Sequence, residues 1–340
     1  MNKETTQTVK ELLACPQKIV VVGHKNPDGD AIGSCLGLSH FLKQFGHEVS
    51  VIMPNDFPEF LKWLPGVDSI KIYEKQKDET AQLIEAANVI FTLDFNTLER
   101  VGEMCELFKS ATAKFVMIDH HQQPDNYAVA TYSDVSMSST CEMVYHFINA
   151  VQESDTITEE IAINLYTGIM TDTGSFRFSS TSPTTHRVAA KLIEAGAQSA
   201  IINQNVYDNN SPDRMRLLGV ALNNLVILPE MNTAYITLTQ KELDDNNFKK
   251  GDTEGFVNYA LSIKGVLFAV IFIENKNEDM VKISFRSKGQ FSVNEFARNH
   301  FSGGGHNNAA GGKSSQDLNK TVNDFISILP RYKNQLTNAL

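Results

Sequence analysis

The clearest pattern along the chain is a short apolar run that stops each time at a polar turn. Ile19-Val20-Val21-Val22 stops at Gly23-His24, and Val89-Ile90-Phe91-Thr92-Leu93 stops at Asp94. Phe115-Val116-Met117-Ile118 stops at Asp119-His120-His121. Runs of this length, with little polar alternation, are the pattern of strands buried on both faces. Strands are predicted at 18–22, 49–53, 89–94 and 115–119, with helices between them at 31–45 and 79–87. Such alternation predicts an α/β fold, a parallel sheet with helices on both faces. Further helices are predicted at 140–151, 158–171, 183–195 and 212–225.

The second half changes character. Strands are predicted at 234–239, 266–273 and 281–286, and helices at 256–263, 293–299 and 317–328. This reads as a smaller α+β domain with a mixed sheet. A chain of 340 residues also exceeds the size at which one core usually stops growing. The expected division is an α/β domain at 1–190, a helical connector at 191–212 and a smaller α+β domain at 213–340. No Pro-, Gly- or Ser-rich linker separates the halves.

Composition narrows the setting. No apolar stretch reaches the roughly eighteen residues of a membrane span, and the polar start lacks the pattern of a signal peptide. Four scattered cysteines without a CxxC pair argue against a disulfide framework or zinc ribbon and fit a reducing cytoplasm. A formal net charge of −10 argues against coating long nucleic acid, which calls for a basic surface. An anionic ligand therefore needs a local site, with cations to hold it.

The turns after the apolar runs supply such a site. In Gly23-His24-Lys25-Asn26-Pro27-Asp28-Gly29-Asp30, Pro27 ends any strand and Gly29 permits a tight turn. Asp94 and Asp119-His120-His121 occupy the same niche, and the carboxyl ends of strands in an open parallel sheet are where ligands bind. Asp172 arrives differently: it continues the helical stripe Ile161, Leu165, Ile169, which places an acid on an inward face. A buried unpaired carboxylate is costly, and a metal ion compensates it. Taken alone, Asp30 reads as a cap for the helix near residue 31 and His121 as an ordinary histidine. Together, His24, Asp28, Asp30, Asp94, His120 and Asp172 suit two divalent cations, manganese first, with iron or magnesium also compatible.

These segments, with Thr171-Asp172-Thr173-Gly174, resemble the four motifs of the DHH phosphoesterases in order and spacing. The resemblance implies a first metal site of His24, Asp28 and Asp94. It implies a second of Asp30, Asp94, His120 and Asp172, with Asp94 bridging. It also implies that Asp119 orients a histidine and that His121 faces the scissile phosphate.

A second signal is Gly303-Gly304-Gly305-His306-Asn307-Asn308-Ala309-Ala310-Gly311-Gly312, preceded by Arg286-Ser287. Bare glycine N–H groups and a following helix N-terminus would suit a phosphate. The string resembles the DHH-associated C-terminal domain, which implies substrate binding by Arg286, Ser287, Gly303, Gly304, Gly305 and His306. Arg100 is a further phosphate candidate and Arg177 a weaker one. Glu142 reads as solvent-facing or helix-capping. Trp63, with Phe57 and Phe60, reads as packing rather than base stacking.

The expectation is therefore a cytoplasmic phosphoesterase, using two-metal activation of water in an interdomain cleft. Its overall length resembles that of family members that degrade short RNA and dephosphorylate adenosine 3′,5′-bisphosphate (pAp). Expected substrates are short oligoribonucleotides, linear dinucleotides such as pApA, and pAp. Long duplex nucleic acid and membranes are not expected partners, and the chain is expected to be a monomer or homodimer. Alternatives are a cyclic-dinucleotide (c-di-AMP) phosphodiesterase, a manganese pyrophosphatase and a nucleic-acid-binding module without chemistry.

Overall fold

Ile19 and Val21 pack on one face of their strand with Val51, Met53 and Phe91, while Val20 and Val22 pack on the other with Ile52 and Ile90. None is more than 2% exposed. Burial on both faces explains why these runs lack polar alternation.

The computed structural model describes residues 1–152, 156–276 and 278–337, and divides into the units Met1–Asn209 and Asn210–Leu340. The first unit begins with α1 (Lys3–Leu12), β1 (Lys18–Val22), α2 (Gly29–Lys43), β2 (Glu48–Met53) and β3 (Lys71–Ile72). It continues with α3 (Lys77–Ala86), β4 (Val89–Leu93), α4 (Cys105–Ser110), β5 (Lys114–Asp119) and β6 (Ala130–Ser133). It ends with α5 (Thr140–Val151), α6 (Glu159–Asp172), α7 (Pro183–Glu194) and α8 (Ser199–Tyr207). Its six strands run β3-β2-β1-β4-β5-β6, all parallel. Helices α2, α5 and α6 cover one face, and α3 and α4 the other. The chain leaves β1 toward β2 and later returns to its opposite side as β4. The carboxyl ends of β1 and β4 thus form the switch point where such sheets bind ligands.

The second unit holds α9 (Pro212–Asn223), β7 (Val226–Leu228), β8 (Thr233–Leu238), α10 (Gln240–Asp245), α11 (Phe256–Leu261) and β9 (Phe268–Asn275). It continues with β10 (Met280–Ser287), α12 (Val293–His300), β11 (Gly304–Gly305), β12 (Ala309–Ser314), α13 (Leu318–Ile328) and α14 (Lys333–Thr337). Its sheet is mixed: β8 and β9 pair in parallel, the other neighbours antiparallel. No helix among the described residues is long and apolar enough to cross a membrane.

Two local readings change. Within the stretch expected as a connector, Leu192, Ala197 and Ile202 belong to the first unit's core. The glycine-rich segment is a hairpin of β11 and β12, so the Gly303–Gly305 run leads into a strand and not a helix N-terminus. Its glycines serve close strand approach. A Cβ on Gly303 would lie 2.0 Å from the Gly311 carbonyl oxygen, and no side chain fits there.

Candidate metal centre

His24, Asp94 and His120 follow the carboxyl ends of β1, β4 and β5, three neighbouring strands. Asp94 adopts a left-handed φ of 64°, and its N–H bonds the Ile118 carbonyl at 3.1 Å, which turns the chain sharply at the sheet edge. The helix cap is Asp28, not Asp30: its Oδ1 accepts from the N–H groups of Asp30 and Ala31, each at 3.1 Å. Asp30 lies inside the first turn of α2 and is 1% exposed. Asp172 is the last residue of α6.

Glycine lets α2 and α6 approach closely enough to bring these acids together. A Cβ on Gly33 would lie 2.4 Å from the Asn164 carbonyl oxygen. A Cβ on Gly168 would lie 2.1 Å from Cys141 Sγ and 3.0 Å from Asp30 Oδ1.

His120 Nε2 stands 3.7 Å from Asp30 Oδ2, 3.5 Å from Asp94 Oδ1 and 3.7 Å from Asp172 Oδ2. His24 Nε2 stands 3.4 Å from Asp94 Oδ2 and 4.0 Å from Asp28 Oδ1. Most of these separations exceed a good hydrogen bond. They approach the spacing, roughly 3–3.5 Å, of donors sharing one ion at about 2.1 Å. The two Asp94 oxygens face different groups, Oδ1 toward His120 and Oδ2 toward His24. Each imidazole is oriented from behind. His24 Nδ1 lies 2.9 Å from the Lys25 carbonyl and His120 Nδ1 3.3 Å from the Met137 carbonyl. Donation to those carbonyls places a proton on Nδ1 and leaves Nε2 facing the carboxylates, where it holds a proton or, once that proton is lost, can ligate a cation.

The electrostatics fit a cation. Burial pushes Asp30 well above the usual carboxylate range, reinforced by the charges of Asp94 and Asp172. Burial also lifts Asp172, to about 6, against the pull of His120. Asp94 stays well below its ordinary value despite burial, because His120 and His24 approach it closely. Burial alone would lower His120, but Asp94, Asp172 and Asp30 raise it well above the usual imidazole value. Crowded acids forced toward protonation, beside imidazoles that present Nε2, are a donor set that a divalent ion relieves.

Asp119 is fully buried and bonds its neighbour: His121 Nδ1 lies 2.7 Å from Oδ1, and the His121 N–H donates to Oδ2 at 3.1 Å; the same Nδ1 lies 3.7 Å from Asp94 Oδ1. Arg100 is exposed, with its carbonyl accepting from the Lys25 N–H at 2.8 Å. Burial alone would lower His24, but Asp94 and Asp28 raise it above the usual imidazole value, with the Arg100 charge opposing them. Arg177 Nε donates to the Gly174 carbonyl at 3.0 Å. Trp63 Nε1 donates to the Phe60 carbonyl at 2.8 Å, and Phe57 is buried, in keeping with a packing role.

In the second unit, Arg286 faces Ala309 across the ladder between β10 and β12. The Ser287 hydroxyl donates to the Phe291 carbonyl at 2.6 Å and accepts from Asn308 at 2.8 Å. The glycine amides are mostly spent on the fold. The N–H of Gly303 goes to the Ala297 carbonyl, that of Gly305 to Asn294 Oδ1 and that of His306 to the Ala309 carbonyl. The N–H groups of Gly303 and Gly305 thus serve the hairpin.

Two residues around the first unit's cluster, Asn55 and Thr140, escaped the sequence reading, and a third, Glu142, takes a buried role. Asn55 Oδ1 accepts from the Asn26 N–H at 2.7 Å, and its amide donates back to Asn26 Oδ1 at 3.0 Å, clasping the metal-motif turn. Thr140 bonds both Asp30 and Asp94. Glu142 is 1% exposed, which overturns a solvent-facing reading. Its carboxylate accepts from the N–H and hydroxyl of Ser138 and from the Thr185 hydroxyl. The signal for Thr140 was the cap-rich string Ser138-Ser139-Thr140; nothing local marks Asn55.

Fold and sequence likeness together make the chain a hydrolase of the phosphoesterase class. It belongs to the DHH family: the model of the DHH family N-terminal domain matches residues 18–169, and the DHHA1 domain matches residues 231–332. It is 31% identical over 338 residues to the bifunctional oligoribonuclease and PAP phosphatase NrnA of Thermus thermophilus, covering 99% of this chain and 96% of that protein. It is 29% identical over 294 residues to the protein of the same name from Bacillus subtilis, covering 86% and 88%. Among solved structures, an exopolyphosphatase-related protein from Bacteroides fragilis superimposes with a TM-score of 0.94 at 39% identity, covering 99% of this chain and 98% of that one.

Proposed function

We propose that this chain is a manganese-dependent phosphoesterase that hydrolyses short oligoribonucleotides, linear dinucleotides such as pApA, and pAp. The observation that carries the reading is the placement of His120 Nε2 within 3.5–3.7 Å of three carboxylates, with His24 on the far oxygen of Asp94. In this reading His24, Asp28 and Asp94 hold one ion and Asp30, Asp94, His120 and Asp172 the other. Such ions, when bound, polarise a phosphate and lower the pKa of water. The chain's own residues do the rest. Asp119 fixes the His121 ring through Nδ1, so that Nε2 is the nitrogen that meets the reacting phosphate. Arg100 supplies positive charge on the first unit. On the second, Arg286 and His306 recognise a further phosphate or nucleotide group, Arg286 through its planar fork.

Substrate length follows from charge. A net charge of −10 leaves no extended basic track, so nucleotides beyond the first few add repulsion and little attraction. The names of the relatives support the same substrates. The test is a panel of pAp, pApA, c-di-AMP, pyrophosphate and 5′-phosphorylated RNAs of increasing length, assayed with Mn2+. The reading expects the highest kcat/KM on pAp and the shortest RNAs. A preference for c-di-AMP, for pyrophosphate or for long RNA at low salt would overturn it.

A further inference from the structure

We propose that Thr140 is a positioning residue that sets the separation of two metal carboxylates, Asp30 and Asp94. The inference rests on reading the cluster as a metal centre. Asp30 belongs to α2 and Asp94 to the turn after β4, so no covalent constraint fixes their distance. When both are ionised, as binding a cation requires, their like charges push them apart in a buried setting.

One residue ties them together. The Thr140 N–H donates to Asp30 Oδ2 at 2.6 Å, and its hydroxyl donates to Asp94 Oδ1 at 3.1 Å. These are the same two oxygens that face His120 Nε2, at 3.7 and 3.5 Å. Thr140 therefore grips the oxygens on the cation side, not their partners. Each carboxylate oxygen has two acceptor positions, so one bond from Thr140 leaves the other for a ligand.

The surroundings make this more than a helix start. Thr140 opens α5, but the helix is already capped by Ser139, whose hydroxyl accepts from the Glu142 N–H at 3.0 Å. The Thr140 hydroxyl is not needed for capping. The Cys141 N–H donates to Asp30 Oδ1 at 2.8 Å, so Asp30 takes two of the helix's unsatisfied amides and sits at its positive end. The preceding turn is locked in turn by Glu142, which binds Ser138 and reaches Thr185 of α7 at 2.9 Å. The clamp is thus rigid on the side away from the carboxylates.

The test compares Thr140→Val, which removes only the hydroxyl, with Thr140→Ser, which restores it. Mn2+ is titrated into metal-stripped protein and the free ion is read by electron paramagnetic resonance. Thr140→Val should bind at least one of two ions roughly tenfold or more weakly, the scale of a hydrogen bond to a charged group. Thr140→Ser should bind near wild type. The turnover lost in Thr140→Val should return with excess Mn2+, with KM for pAp little changed. If the valine variant does not fold by circular dichroism, Thr140→Ala against Thr140→Ser makes the same comparison. Equal Mn2+ affinity with and without the hydroxyl would overturn the proposal alone. Failure of the wild type to bind Mn2+ would overturn the metal reading beneath it as well.

Discussion

Asp119 takes two bonds from a single neighbour, His121: 2.7 Å from the ring Nδ1 and 3.1 Å from the backbone N–H. The pair is local in sequence, yet Asp119 ends a buried strand, so the imidazole is held by the most rigid part of the unit. An asparagine would keep the shape but present an amide where the ring needs an acceptor.

Asp119→Asn should therefore lower kcat by roughly 10²–10⁴, the range of acid–base contributions, while Mn2+ content stays at the wild-type level. Metal analysis beside steady-state kinetics checks both halves. Loss of metal in step with loss of rate would give Asp119 a different role.

Gly168 and Gly219 should respond in opposite directions to alanine. A Cβ on Gly168 would lie 2.1 Å from Cys141 Sγ, whereas a Cβ on Gly219, within α9, has nothing within 4 Å. Gly168→Ala should cost about 1–3 kcal/mol through overpacking and disturb metal binding through Asp30. Gly219→Ala should gain about 0.4–1 kcal/mol by stiffening the unfolded chain and favouring helix. Urea unfolding of both variants decides this.

Glu142 gives the fold a pH dependence. Burial raises its pKa, but the His146, Ser138 and Thr185 contacts outweigh that and hold it below the ordinary value of 4.5. A depressed carboxylate contributes stability that is present above the unfolded pKa and lost as pH falls through the folded one. Glu142→Gln should lose about 1.5–3 kcal/mol near neutral pH and show a shallower decline of Tm below about pH 4.5. Thermal melts across that range provide the measurement.

Arg286→Ala and His306→Ala should leave Mn2+ binding intact and raise KM for nucleotides. One charged contact to phosphate is worth about 1.5–3 kcal/mol, roughly tenfold to a hundredfold. A small generic diester, bis-p-nitrophenyl phosphate, should suffer less. Equal losses on both substrates would count against recognition by the second unit.

Much of this was legible because the informative residues are local. Val20 and Val22 read as strand because both faces are buried, and His24, Asp94 and His120 stand directly after such runs. Asp172 was found from the stripe of Ile161, Leu165 and Ile169, all fully buried. What escaped was set by distant partners. Thr140 meets Asp30 across 110 residues of chain, and no local pattern encodes that meeting. Gly304 and Gly305 read as a loop because glycine has low strand propensity; close pairing with β12 needs glycine at Gly303 and Gly305, where a Cβ would lie 2.0 Å from the Gly311 carbonyl oxygen and 2.6 Å from that of Ala309. The helix Ser199–Tyr207 falls within the stretch expected as a helical connector, but it lacks a side-chain cap and a clear apolar stripe, so its bounds were not legible.

The central claim is that Asp94 joins two metal sites, and Mn2+ stoichiometry in Asp94→Asn tests it most directly. Metal-stripped wild type, His24→Ala and Asp94→Asn are each reloaded with Mn2+, desalted and analysed for bound metal and for pAp hydrolysis. The wild type should retain two ions, His24→Ala should lose one selectively, and Asp94→Asn should lose both together with turnover. Two tightly held ions and wild-type rates in Asp94→Asn would contradict the account.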